Sequence, residues 1–335
     1  MRARRLRAGL KGWGGVGAMA VVCALAVTFV LLLPLIRSHG DGGSAGGRRT
    51  AQALQAKAEQ CKNPQDQSLS PSGAEGDTIR AIRARGYLSV GVDQNSYRWG
   101  YRNPNNSSGE LEGFDIDLVH RIAHDILGNE NKVQFRAIPT NERIPAIKSG
   151  RVDMVVRTMT ITCDRLTQVA FSAPYFLTGQ QVLAPKTSAI TGYDRTLAGR
   201  KICSAKGSTA YDQLSADRKT GKLPASTDIS TTVPNQLDCL VRLQLGEVDA
   251  VVTDGALAAS QAAQDPTVAL KGGTFTQEYY GVAMKRGADD LVRQVNRILE
   301  NYRKDGGWKT SYDKWLSPTL GKDSESATPP AANYK

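Results

Sequence analysis

The sequence predicts an α/β fold in which parallel strands alternate with helices. Short apolar runs at Tyr87–Val92, Val133–Ala137 and Val152–Val156 are typical of buried strands. The segment Phe114–Leu127 repeats its apolar residues at helical spacing, and Asp115 stands in its first turn. A strand, helix, strand order of this kind favours parallel sheets with helices on both faces.

The other elements continue the alternation. Helices are predicted before the first strand, at Thr78–Arg85, and before the third, at Glu142–Lys148. A second alternating set begins near Leu197 and consists of a strand at Lys201–Ser204, a helix from about Thr209 to Leu214, a helix at Pro234–Leu245, strands at Val248–Val252 and Glu278–Met284, a helix at Leu291–Lys304, and a final helix or turn with Trp308 and Trp315.

The net charge of +11 is concentrated at the N-terminus. Eight basic residues and a single acid among the first 49 residues give +7, which leaves +4 for the rest of the chain. Because that remainder is an ordinary surface balance, we expect no nucleic-acid partner.

Residues 16–36 form an uncharged apolar run directly after the basic start. About 20 apolar residues span a bilayer as a helix, whereas a cleavable signal has a run of about 7–15. We therefore predict a cytoplasmic basic segment at 1–15 and a transmembrane signal anchor at 16–36. The protein would then cross the cell membrane once, with its binding domain on the extracellular side. A cleaved signal remains an alternative, as does a lipoprotein at Cys23, although Val22 is unusual before a lipidated cysteine.

Two polar segments flank the predicted domain. Residues 37–77 are rich in Gly, Ser, Ala and Gln and are predicted to be an extracellular tether. Residues 321–335 are predicted to be a disordered tail.

Four cysteines follow the apolar run: Cys61, Cys163, Cys203 and Cys239. An even number in an extracytoplasmic domain indicates disulfides, and four cysteines allow three pairings. Cys203 and Cys239 belong to the same candidate unit, so we expect them to pair, which leaves Cys61 with Cys163. Free buried thiols are the alternative. No CxxC or CxxH spacing occurs, and we expect neither a metal nor a cofactor.

The stretch from Arg151 to Tyr175 carries the chemistry. Thr158 and Thr160 follow the predicted strand Val152–Val156, and Arg165 stands just beyond them. Ligands of open α/β sheets bind at the carboxyl ends of the strands. Hydroxyls beside a guanidinium at such a place favour binding of a carboxylate.

Eight motifs in order resemble family 3 extracellular solute-binding proteins, the amino-acid receptors of ABC importers. They are EGFDIDL at 112–118, RIPAIKSGRVDM at 143–154, TMTITCDR at 158–165, FSAPY at 171–175, GRKICSAKGST at 199–209, LQLGEVDAVVTD at 243–254, YYGVAMKRG at 279–287 and DGGWKTSYDKWL at 305–316. Within the family, the chain looks most like actinobacterial glutamate-binding receptors. The resemblance implies a type II periplasmic-binding-protein fold, with two lobes joined by two hinge crossings. Lobe 1 would comprise residues 78–182 and 276–320, and lobe 2 residues 183–275.

The resemblance also implies a ligand site between the lobes. The family's T-x-T-x-x-R arginine binds the ligand α-carboxylate, a role that falls on Arg165, with Thr160 and Thr158 beside it. Ser208 and Thr209 open a predicted helix, whose free N–H groups favour an anion, although they could simply cap that helix. Asp254 would bind the ligand ammonium or, alternatively, cap the helix that follows it.

Arg143, Tyr97 and Arg98 complete the predicted ligand-binding set. An arginine at the position of Arg143 resembles glutamate and aspartate receptors, in which it meets the side-chain carboxylate. Pairing of Arg143 with Glu142 or Asp153 is the alternative. Tyr97 resembles the family's aromatic ring over the ligand, and Arg98 lies near the predicted cleft mouth. Arg157 could be a ligand contact or a salt-bridged scaffold residue.

The sequence therefore predicts a receptor that closes on an acidic amino acid and delivers it to ABC permease subunits. A membrane-anchored sensor that signals through a membrane partner is the alternative, suggested by the predicted uncleaved anchor. We expect no enzyme, because no nucleophile, base and orienting group occur together. His120 and His124 have a metal-compatible spacing but no third ligand.

Overall fold

The computed structural model describes residues 61–107 and 109–335, which form two α/β lobes joined by a two-stranded ribbon. The strands are β1 (Leu88–Val92), β2 (Asn95–Ser96), β3 (Gly100–Arg102), β4 (Leu111–Glu112), β5 (Val133–Ala137), β6 (Met154–Val155), β7 (Ala170–Phe171), β8 (Phe176–Thr178), β9 (Gln180–Pro185), β10 (Lys201–Ala205), β11 (Asp228–Val233), β12 (Ala250–Asp254), β13 (Val268–Lys271), β14 (Glu278–Tyr280) and β15 (Ala283–Met284). The α-helices are α1 (Asp77–Arg85), α2 (Phe114–Leu127), α3 (Arg143–Lys148), α4 (Cys163–Leu166), α5 (Thr209–Thr220), α6 (Gln236–Gln244), α7 (Gly255–Ala262), α8 (Asp289–Lys304), α9 (Gly307–Trp315) and α10 (Ser317–Leu320).

Each lobe has a five-stranded mixed sheet with a parallel part. In lobe 1 the strand order is β5-β1-β6-β15-β7, and β1 is parallel to both β5 and β6. In lobe 2 the order is β11-β10-β12-β9-β13, and β10 is parallel to both β11 and β12. The carboxyl ends of these parallel strands carry the candidate site, as expected for open α/β sheets.

The chain crosses between the lobes at β8 and β14, which pair antiparallel. Phe176 of β8 and Tyr280 of β14 stack with ring centroids 5.7 Å apart, and the Trp99 ring meets Phe176 edge-on at 4.8 Å. All three side chains are fully buried, so the base of the hinge is packed as part of the lobe 1 core. Lobe 2 begins with β9 at Gln180, slightly before the boundary predicted at residue 183.

Two disulfides join the cysteines in the expected pairing. Cys203 of β10 bonds Cys239 of α6, and Cys61 bonds Cys163 at the start of α4. The loops they close span 36 and 102 residues, for which chain entropy alone gives about 4 and about 5 kcal/mol of stabilisation. The Cys61–Cys163 bond attaches the start of α4, the helix that carries Arg165, to the N-terminal end of the described chain.

The predictions of a tether at residues 37–77 and of a disordered tail at 321–335 are wrong for the residues that the structure describes. Residues 61–77 of the predicted tether and residues 321–335 of the predicted tail pack against lobe 1. Ser68 donates to the Phe171 carbonyl at 2.8 Å and pairs with Tyr334 in a parallel bridge, and the Tyr334 hydroxyl donates to Glu300 at 3.2 Å. Hydrogen bonds of this kind leave no apolar period in a sequence, so composition alone suggested disorder.

The predicted anchor at 16–36 and the rest of the predicted tether lie outside the described residues. Among residues 61–107 and 109–335, no helix has both the length and the apolar character that a membrane crossing requires.

Candidate functional site

A small polar cavity of about 10 Å³ lies where the two lobes face each other. Its lining contains seven of the nine predicted ligand-binding residues, together with three that the sequence did not single out: Arg143, Thr158, Thr160, Arg165, Ser208, Thr209, Ala210, Gln236, Thr253 and Asp254. The first four belong to lobe 1 and the others to lobe 2.

Arg165 is fixed by the short helix α4. Thr162 caps this helix by accepting the Arg165 N–H at 3.2 Å. The guanidinium donates to the Thr160 carbonyl at 2.8 Å and, across the cleft, to the Gly207 carbonyl at 3.2 Å. Burial lowers the pKa of Arg165, and the nearby carboxylates of Asp212 and Glu278 oppose that shift.

Arg143 stands beside Arg165 and is also buried. It donates to the carbonyls of Thr140 at 2.9 Å, Thr158 at 3.4 Å and Gly207 at 3.3 Å. Burial, with Arg165 and Arg157 close by, holds the pKa of Arg143 well below its usual range. The alternative pairing fails, because Glu142 meets Arg151 at 3.6 Å and Asp153 pairs with Arg85.

These two arginines lack a carboxylate partner within the described part of the chain. Every hydrogen bond given above for Arg143 or Arg165 ends on a carbonyl oxygen, and neither side chain takes part in an ion pair there. Burying a charge is costly unless a counter-ion compensates it. The cavity wall of lobe 1 is therefore suited to bind an anion.

Lobe 2 adds the N-terminus of α5. Ser208 caps this helix by accepting the Tyr211 N–H at 3.2 Å, and Thr209 donates to Glu278 at 3.1 Å. Gly207 precedes them with a φ of +77°, and a Cβ there would lie 3.1 Å from Asn141 of lobe 1. Capping by Ser208 leaves other first-turn N–H groups available to an anion, so the two predicted roles are compatible.

Asp254 supplies an acceptor opposite the arginines. It occupies the N-cap position of α7, but its side chain makes no capping bond and instead accepts from the Tyr280 hydroxyl. Burial, then repulsion from Glu278, raises the pKa of Asp254 to about 7, while Tyr280, Arg165 and Arg143 oppose the shift. A ligand cation at this place would favour the ionised carboxylate.

The structure does not bring Tyr97 and Arg98 to the cavity. Arg98 donates to the Trp315 carbonyl of lobe 1 at 3.1 Å, which directs its guanidinium to α9. The Tyr97 ring lies against Tyr101, with centroids 5.1 Å apart, in a separate groove beside Leu237. We therefore leave both residues out of the proposed site.

Three residues of the lining were missed by the sequence reasoning. Thr253 directly precedes Asp254 in β12. Gln236 is the first residue of α6, which follows β11 after a short turn. Ala210 lies in the first turn of α5, which follows β10. The sequence signal that could have identified Gln236 is a strand followed closely by a helix, because the same kind of strand–helix junction identified Thr209.

A wider groove lies elsewhere, on lobe 1. It is a groove of about 1170 Å³ that includes His120 and His124. Three of its charged residues pair with one another, since Arg121 meets Asp125 at 3.1 Å and Asp305 at 2.7 Å. In the part of the chain that the structure describes, no group of three or more potential ligands could hold a metal ion.

Two α/β lobes around a polar cleft, joined by a two-stranded hinge, define the class of two-lobed solute-binding folds. Residues 88–318 match the family model of bacterial extracellular solute-binding proteins, family 3. The chain therefore belongs to that family.

Individual relatives agree with this assignment. The ABC transporter glutamine-binding protein GlnH of Bacillus subtilis is 36% identical over 240 residues, which cover 72% of this chain and 85% of that protein. The glutamate-binding protein GluB of Corynebacterium glutamicum is 29% identical over 268 residues, covering 76% and 86%. The solved receptor for L-cysteine of Neisseria gonorrhoeae superposes with a TM-score of 0.68 at 27% identity, covering 76% of this chain and 99% of that one.

Proposed function

We propose that this protein is an extracytoplasmic receptor that binds a free acidic amino acid, glutamate or aspartate, between its lobes without transforming it. The observation that carries the proposal is the pair of buried arginines without a carboxylate partner in the described chain, opposite Asp254. Arg165 would bind the α-carboxylate, with Thr160 and the N-terminus of α5, and Asp254 would bind the ammonium. Capture would proceed by hinge closure at β8 and β14.

Arg143 supports the acidic choice of side chain. A second carboxylate would give this buried guanidinium a direct ion-pair partner, whereas a neutral amide would give it none. The name of the C. glutamicum relative agrees with glutamate, and that of the B. subtilis relative favours glutamine as the second candidate. The functional contrast between these ligands is one charge, which makes it directly testable.

Calorimetric titration of the extracellular chain, with both disulfides intact, tests the proposal. Residues 61–335 would be titrated with glutamate, aspartate, glutamine, asparagine and arginine. We expect Kd values of about 1 µM for an acidic ligand, equivalent to about −8 kcal/mol, and weaker binding of the amides. Silence across the panel contradicts the receptor function, whereas preference for glutamine contradicts the acidic ligand and with it the assignment of Arg143.

Binding should release protons near neutral pH. Asp254 is partly protonated around pH 7 without ligand, and a ligand ammonium would stabilise its carboxylate, so the affinity should rise between about pH 5 and pH 7.5 and then level off. Titration at pH 7 in buffers of different ionisation enthalpy measures the protons released, for which we expect about 0.5 per ligand.

A variant identifies the source of those protons. Asp115 could also release protons, because burial raises the pKa of its carboxyl to about 7. This carboxyl accepts a hydrogen bond from the Thr158 N–H in the wall of the site. Asp254→Asn should remove the proton release, although at weaker affinity. Proton release that persists in this variant would assign it to Asp115 instead.

We also propose that residues 16–36 anchor the receptor in the cell membrane, with lobes 1 and 2 outside and an ABC permease as its partner. The two disulfides are in keeping with an extracytoplasmic location. A sensor that signals through a membrane partner is the second candidate, favoured by the length of the apolar run. Uptake of labelled glutamate should fall in a deletion strain if the protein serves import, and should be unchanged if it only senses.

A further inference from the structure

Three neighbouring strands of lobe 1 each place one polar group at the lobe boundary. Asp93 follows β1, Thr140 lies beyond the end of β5, and Arg157 follows β6. The Arg157 guanidinium lies 3.0 Å from the Asp93 carboxylate and donates to the Thr140 hydroxyl at 2.9 Å. Its side chain is 0% exposed, and it does not belong to the cavity lining.

Lobe 2 meets this cluster with the segment that joins β11 to α6. The Asn235 amide oxygen accepts from Arg157 at 3.0 Å, and the Pro234 carbonyl accepts from the Thr140 N–H at 3.0 Å. Asn235 also forms a capping box with Asp238, which fixes its side chain at the start of α6. We call Asp93, Thr140, Arg157, Pro234 and Asn235 the Arg157 bridge.

We propose that the Arg157 bridge holds the two lobes closed and thereby slows ligand release. The proposal rests on ligand capture by lobe closure, as put forward above. Opening the cleft would separate Asn235 from a buried, charged donor, and hydrogen bonds to charged groups are stronger than neutral ones. Because every atom of the bridge belongs to the protein, its contribution to closure is independent of which ligand is bound. Arg157 is thus a positioning residue: it acts on the closed population and not on ligand choice.

Asn235→Ser removes the Arg157–Asn235 contact and leaves the other contacts between the lobes in place. Serine is as good an N-cap as asparagine, so α6 keeps its cap, but its side chain is too short to reach Arg157. Without ligand, small-angle scattering should give a larger radius of gyration than for the wild type. Stopped-flow measurements should give glutamate dissociation about tenfold faster, with the ratio of glutamate to glutamine affinity unchanged.

Two further variants control the experiment. Asn235→Asp keeps an acceptor oxygen facing Arg157 but replaces the amide that donates to the Asp238 carboxylate at 3.3 Å, so its dissociation rate should be slower than that of Asn235→Ser without having to equal the wild-type rate. Asn131→Ser, in an exposed turn of lobe 1, should match the wild type throughout. A ligand-free radius and a dissociation rate that both stay at wild-type values in Asn235→Ser would overturn the proposal. If the wild type binds no amino acid of the panel, the proposed function fails, while the ligand-free radius still tests the bridge.

Discussion

Replacing Arg165 with alanine is expected to weaken the binding of every amino acid strongly and by about the same factor. Its guanidinium would bind the α-carboxylate that all free amino acids share, and no other arginine in the described chain lies at the same junction of Thr160 and Gly207. Removing one partner of a buried charge pair costs about 2–5 kcal/mol, which weakens binding roughly 30- to 4,000-fold. Calorimetry with the five-ligand panel measures the loss.

Two comparisons separate this role from a structural one. Arg218→Ala, in the exposed last turn of α5, removes the same charge far from the cleft and should bind like the wild type. Arg165→Lys keeps the charge but not the planar fork, so its affinity should lie between those of the wild type and the alanine variant. Equal losses for all ligands are essential; if Arg165→Ala lost only glutamate and aspartate, Arg165 would be a side-chain contact.

The fold was predictable from the sequence where burial follows a periodic pattern. The helix predicted at Phe114–Leu127 has the same bounds in α2, and the strand predicted at Val133–Ala137 is β5. The strand predicted at Val152–Val156 shrinks to Met154–Val155, and the one at Glu278–Met284 divides at Gly281. There the chain leaves the hinge ribbon for the lobe 1 sheet, where a Cβ on Gly281 would lie 2.8 Å from Ile161, a tertiary constraint that periodicity does not contain.

The site was predictable where one residue type at a strand end carries the chemistry. Asp254 ends β12, Thr209 opens the helix after β10, and Arg165 lies in the short helix α4 that follows β6; all three line one cavity. The position of Arg98 depends on its own backbone, because a φ of +67° turns it towards α9 rather than the cleft. Thr158 has a φ of +42°, unusual for a β-branched residue, and is held there by bonds with Asp115 and Arg143. No local sequence rule predicts either conformation.

The role of Arg157 also could not be predicted from local sequence. Its sequence position at a strand end is equivalent to that of a ligand-binding group, so the sequence left its role open. Only the approach of lobe 2 decides its partners, since Asn235 lies 78 positions further along the chain. Contacts between residues of different lobes, far apart in sequence, can be identified only from the tertiary structure.

Replacing Arg143 with methionine is expected to remove the preference for acidic ligands. Methionine keeps much of the length and apolar bulk but not the charge, so glutamate should lose its proposed side-chain partner while glutamine loses less. Measuring both ligands on the wild type and on Arg143→Met gives a thermodynamic cycle. Its coupling term should reach at least about 1.4 kcal/mol, a tenfold change in the ratio of the two Kd values.

The thermodynamic cycle is needed because Arg143 also stabilises the cavity wall through hydrogen bonds to its backbone. Its bonds to the Thr140 and Thr158 carbonyls mean that any substitution can shift the cavity wall and weaken all ligands together. That common loss cancels in the coupling term, whereas loss of a charge pair with the ligand does not. A coupling near zero would assign Arg143 to the scaffold alone, and the acidic preference would then need another source. Gln236 would be the next residue to test, since it lines the same cavity from lobe 2.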